Sequence, residues 1–159
     1  MDGLKLKYRR YKELNTDVFK YDLEFITGCY LFYNSNSGIG SFCYLRRCLE
    51  SLIKDYTNDL FSRDEIESGY DQFKKLEEKI AIIKNELDPS IFDLLKPLYS
   101  ILSLGIHELD EGECLNDFEA LKDIVEVLLD ERIEKINKKK KIEKMKKDLN
   151  AKASALSKK

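Results

Sequence analysis

Tryptophan is absent from this chain of 159 residues, and there are only one histidine, two prolines and seven glycines. Each scarcity excludes something. So little proline and glycine leaves too few turns for a sandwich or barrel of many short strands. The four cysteines, Cys29, Cys43, Cys48 and Cys114, form no CxxC pair, and His107 adds only one more soft ligand. The usual zinc spacing is therefore not encoded, and the cysteines read as reduced, mostly buried thiols. Neither GxGxxG nor GxxxxGK[ST] occurs, so Gly38-Ile-Gly40 reads as a flexible turn rather than a phosphate cradle. The longest apolar stretches, near Cys29–Tyr33 and Leu98–Ile106, fall well below the ~20 residues that span a bilayer. The opening residues MDGLKLKYRRYKEL are basic but lack the apolar run of a secretory signal, which makes the cytoplasm the expected compartment.

Catalytic chemistry finds little to work with. His107 lies in Gly105-Ile-His-Glu108, where it can complement a helix C-terminus, and no recognisable serine or cysteine nucleophile motif accompanies it. Asp110, Glu111 and Glu113 are hard-ion ligand types, but their spacing fails the EF-hand pattern, so they read as an exposed acidic loop. The expectation is a non-enzyme with no catalytic residue, no metal site and no cofactor.

What is present is apolar periodicity and charge. Hydrophobic residues make up 43% of the chain and charged residues 36%, the balance of a helix-rich globular protein. After the turn-rich stretch 34–40, Phe42, Leu45, Leu49, Leu52, Tyr56 and Leu60 recur every three or four residues, one face of an amphipathic helix. A Ser62-x-x-Glu65 capping box predicts a second helix with Ile66, Tyr70, Phe73, Ile80, Ile83 and Leu87 inward, paired with the first as an antiparallel hairpin.

Asp88-Pro89 stops that helix and starts another. Its residues Ile91, Leu94, Leu95, Leu98, Ile101 and Leu102 make it the most apolar, hence the predicted central helix, with Pro97 expected to kink it and Gly105 to end it. From Asn116, read as a cap, a last helix runs through Phe118, Leu121, Val125, Leu128, Ile133 and Ile136. Beyond it only Ile142, Met145, Leu149 and Leu156 remain apolar, a weak heptad among lysines, with fraying expected over the terminal dozen residues. Near the start, Phe19, Leu23, Ile26, Tyr30 and Tyr33 make a helical stripe, while alternation from Phe19 to Phe25 keeps a β-hairpin open. Tyr30, Phe32, Tyr33 and Tyr44 read as core rings rather than a binding groove.

The predicted fold is an all-α bundle of about five helices with a long basic C-terminal helix, the alternative being an α+β fold with a hairpin within residues 16–45. The predicted division is a helical domain at 1–136 and a basic extension at 137–159.

Charge is segregated along this chain. Residues 132–159 hold twelve Lys/Arg against Glu134, Glu143 and Asp148, a local charge of +9 in a protein of −2, so the preceding 131 residues carry −11. A second basic patch, Lys5, Lys7, Arg9, Arg10 and Lys12, interleaves with Tyr8 and Tyr11, which leaves residues 13–131 at −15. The pattern points to partners rather than chemistry. One expectation is a protein–protein interaction module, a subunit of a larger assembly or an acidic inhibitor of a basic partner, with self-association through the C-terminal helix also open. The other is an accessory protein that binds nucleic acid without sequence preference through Lys138, Lys139, Lys140, Lys141, Lys144, Lys146 and Lys147, helped by Tyr8, Arg9, Arg10 and Tyr11. No membrane partner is expected.

Overall fold

The computed structural model describes residues 19–61 and 75–159, and these form five helices: α1 (Phe19–Ser35), α2 (Gly38–Leu60), α3 (Leu76–Ile82), α4 (Pro89–His107) and α5 (Glu111–Ser157). The architecture is an all-α bundle. Among the described residues of 16–45, the chain is helical on both sides of Asn36-Ser37, so the hairpin alternative has no strand there. Asn36, at φ 49°, occupies the left-handed region that asparagine tolerates, and this turns the chain from α1 straight back into α2.

The most apolar helix is not the central one. α2 packs against all four others and buries Phe42, Leu45, Leu49, Leu52, Ile53 and Tyr56, whereas α4 buries Leu95, Leu98 and Leu102 but leaves Leu94 and Ile101 exposed. Centrality follows from having neighbours on all sides, which mean apolarity does not encode. The stripe foreseen on α1 is likewise rotated: Leu23, Tyr30 and Tyr33 are exposed, while Phe25, Gly28 and Cys29 face α2 and the core. α1 carries apolar side chains on both flanks, and the helix sits on the flank where Gly28 permits close approach to Ser41 and Tyr44 of α2.

Helix ends depart from expectation in instructive ways. Gly38 and Gly40 form the first turn of α2 rather than a flexible loop. A Cβ on Gly38 would lie 2.5 Å from the Glu111 carbonyl oxygen and 2.8 Å from the Cys114 Cβ, so glycine lets α2 start against α5. The helix read across 62–87 is interrupted at Lys75, which is extended and whose amide donates to Glu78 at 3.2 Å; Ser62 to Phe73 lie outside the described residues. From Ile83 to Glu86 the chain tightens into a 3₁₀ turn, with Ile80, Ile83 and Leu87 buried as expected. Asp88 caps α4 by accepting from the Ser90 amide at 2.9 Å, with Pro89 at the first helical position. The Ser90 hydroxyl and amide hold the Asp88 carboxyl below its usual range. Gly105 stays inside α4, buried against the Phe42 ring, and His107 stands in the last turn. The expected acidic loop is in fact the start of α5. Asp110 accepts from the Glu113 amide at 2.8 Å and Glu113 accepts from the Asp110 amide at 2.9 Å, a capping box that displaces the cap read at Asn116.

Candidate interaction surface

α5 is 47 residues long, about 70 Å at ~1.5 Å per residue, and only its first half is held by the bundle. Cys114, Phe118, Leu121, Val125, Leu128, Leu129 and Ile133 are buried, and Ile136 packs partly against the core. The Phe118 ring stacks on Phe32 at 4.2 Å, while the Tyr33 hydroxyl donates to Glu119 at 3.3 Å. The rings of α1 therefore divide: Phe32 joins the core and Tyr30 lies on the surface.

From Lys138 onward every residue is exposed and the helix continues to Ser157, through the dozen residues expected to fray. Lys138, Lys139, Lys140, Lys141, Lys144, Lys146 and Lys147 all stand on this projection, distributed around its circumference. Ile142, Met145, Leu149 and Leu156 share one side of it at 41%, 58%, 68% and 68% exposure. Tyr8, Arg9, Arg10 and Tyr11, the second basic patch, lie outside the described residues.

At the root of the projection lies a cleft between the end of α2 and α5. Arg132, nearly buried, donates from Nη1 to Asp59 Oδ2 at 2.7 Å, and its guanidinium sits 4.6 Å from the centroid of the Tyr56 ring, with Lys135 Nζ at 5.4 Å from the same ring. Burial, reinforced by the nearby Glu131 carboxylate, pushes the Tyr56 hydroxyl well above the ordinary tyrosine range. That hydroxyl, Asn58 Oδ1, Glu131 Oε2 and Arg132 Nε are buried without a hydrogen-bond partner. Asp55, Asp59 and Glu86 face Lys135, Lys139 and Lys140 across the opening, so the described charges of the cleft are balanced. Among its described lining residues there is no histidine, cysteine or serine, and the arrangement holds charge pairs rather than an acid–base couple.

No disulfide joins the four cysteines, of which Cys29, Cys48 and Cys114 are buried and Cys43 is half-buried. Burial pushes the Cys29 and Cys114 thiols up to about 11, away from nucleophilic use at neutral pH. Among the described residues, no group of three His, Cys, Asp or Glu could hold a metal ion, and Glu111 is instead engaged with the amides of Gly38 at 2.5 Å and Ile39 at 3.3 Å. Among the same residues, no helix is long and apolar enough to cross a membrane.

Sequence reasoning found the tail but missed what precedes it. α5 carries one further large apolar side chain that is exposed, Val127, and α4 carries Leu94, Ile101 and Leu104. The signal was available as apolar residues in excess of what one buried stripe needs. No protein-family model matches this chain, and neither does any curated protein or solved structure.

Proposed function

We propose that this chain is a non-catalytic protein–protein interaction module of the cytoplasm, a subunit of a larger assembly or an acidic inhibitor of a basic partner, whose docking element is the basic extension at 137–159. The observation that carries the reading is the apolar line Ile142, Met145, Leu149 and Leu156 on a helix that buries nothing beyond Ile136. A merely solubilising tail has no use for large apolar side chains in register, and their exposure costs stability that a docked partner returns. Lysines flank the line on both sides, which suits a partner surface with acidic margins. Capture with the intact and the tail-deleted chain, before and after nuclease treatment, tests it. The reading predicts a nuclease-resistant protein partner lost with the tail, and a measurable turnover by the purified chain would end it.

One observation favours a second reading, an accessory nucleic-acid-binding role: the seven lysines from Lys138 to Lys147 are all exposed on a rod of continuous helix. Against it, the rod carries no aromatic side chain for base stacking, and it springs from an acidic body that repels phosphate. It predicts salt-dependent binding of DNA or RNA whose salt slope falls on deleting the tail. Equal, negligible binding by intact and tail-deleted protein at low salt would remove it.

A further inference from the structure

The charge on α5 itself supplies an occupant for the docking helix. Residues 111–134 carry nine acidic against two basic side chains, and residues 135–159 carry eleven basic against two acidic. The two blocks are 24 and 25 residues long, so two copies laid antiparallel would place each basic block along the other's acidic block without overhang. A parallel pair would set like charge on like.

The side-chain positions narrow the register. At 3.6 residues per turn, Ala120, Ile124, Val127, Glu131, Lys138, Ile142, Met145 and Leu149 fall on one line of α5, within about a sixth of a turn. Their spacing, 4, 3, 4, 7, 4, 3 and 4, reads the same from either end. An antiparallel pair with its two-fold axis between Glu134 and Lys135 therefore sets Ala120 opposite Leu149, Ile124 opposite Met145, Val127 opposite Ile142 and Glu131 opposite Lys138. Such self-complementarity is what an isologous interface requires. On the flank of the line, Asp130 comes within about 3 Å, measured along the axis, of Lys141 of the second copy, at ~1.5 Å per residue.

Nearer the start of α5 the line is open to receive a helix, since Val127 is 47% exposed, Ala120 is exposed and Ile124 is half-buried, whereas Glu131 is half-buried against the start of α4. Beside it runs α4, tied antiparallel to α5 at both ends. The Asp88 amide donates to Glu131 at 3.3 Å, and the Cys114 thiol donates to the Gly105 carbonyl at 3.5 Å. α4 exposes Leu94, Pro97, Ile101 and Leu104 at this level, apolar surface of the kind the incoming tail's stripe can use.

We infer that this chain pairs with a second copy of itself through antiparallel α5 helices centred between Glu134 and Lys135, the basic tail of each copy lying on the acidic half of the other. The inference rests on the reading of the tail as a docking element and names its partner. Sedimentation of the intact chain is expected to give a dimer that weakens as salt is raised. Replacing Lys138, Lys141 and Lys144 together by Glu, or Asp123 and Asp130 together by Lys, should each raise the dissociation constant about a hundredfold or more, and mixing the two variants should restore a heterodimer. Val127→Cys and Ile142→Cys carried on separate copies should form a mixed disulfide under mild oxidation, faster than either variant cross-links with itself. That readout survives if a charge variant fails to fold. A chain that stays monomeric at every attainable concentration, or an Ile142→Cys self-cross-link that outpaces the mixed one, overturns the pairing. If the monomeric chain still binds a purified acidic protein through its tail, only the second-copy assignment falls; if deleting the tail changes no protein binding at all, the interaction-module reading falls with it.

Discussion

The two halves of α5 are one continuous helix under opposite rules. Between Glu111 and Ile136 the helix is fixed by what it buries: Phe118, Val125 and Leu129 are at most 1% exposed, and its charges are mainly acidic. Between Lys138 and Ser157 nothing is buried, and Ala, Leu, Met, Glu and Lys sustain the helix by intrinsic propensity and by continuation from a turn already formed. Nucleation is the costly step in helix formation, so an anchored first half lets a solvated second half persist. The contrast teaches that helicity and membership of the core are separate properties, and that the second half is free to serve another molecule.

Substitutions can break that contrast from its embedded side. Phe118→Ala removes a fully buried ring stacked on Phe32 and should cost about 3–5 kcal/mol, read from urea unfolding. Gly105→Ala would place a Cβ 2.1 Å from the Phe42 ring, and the forced shift between α4 and α2 should cost about 1–3 kcal/mol by the same measurement. Glu111→Ala, which strips a carboxylate from the Gly38 and Ile39 amides at the start of α2, should cost about 1–2 kcal/mol. A smaller effect comes from pH. The folded chain holds the Cys29 proton up to about 11, against an ordinary value of 9.0, so the folded state binds more protons than the unfolded one between those values. Stability is whole below about 9 and declines as pH rises towards about 11, and Cys29→Ala should flatten that part of the denaturation-versus-pH curve. On the free side, Leu149→Ala should leave the stability of the monomer unchanged within about 0.5 kcal/mol while weakening association, which sharpens the contrast.

Periodicity made the buried face of α2 legible though not its start, since five of its six predicted inward residues are buried and only Leu60, its last residue, is exposed. The Asp88-Pro89 start of α4 was legible because capping chemistry is local. α1 was read on the wrong face because two apolar flanks compete there, and its packing against α2 settles which one wins. The start of α5 was misread because four acids among six residues, 108 to 113, look like a solvated loop, although Asp110-x-x-Glu113 is itself a capping box. Of the interaction surface, the lysines and the stripe were visible in the chain. The exposed Val127 in the bundle-held half was not, because its exposure depends on which face of α5 meets α2 and α4.

Glu111 carries one further consequence. It stands in the first turn of α5, yet its carboxylate satisfies the first amides of α2, more than 70 residues earlier in the chain. The start of α2 is incomplete until a long loop has closed, so the order of folding events is constrained by a side chain that sits on one helix and caps the other. If that clasp forms in the rate-limiting step, Glu111→Ala will slow refolding rather than hasten unfolding, and the two longest helices will emerge as a single cooperative unit.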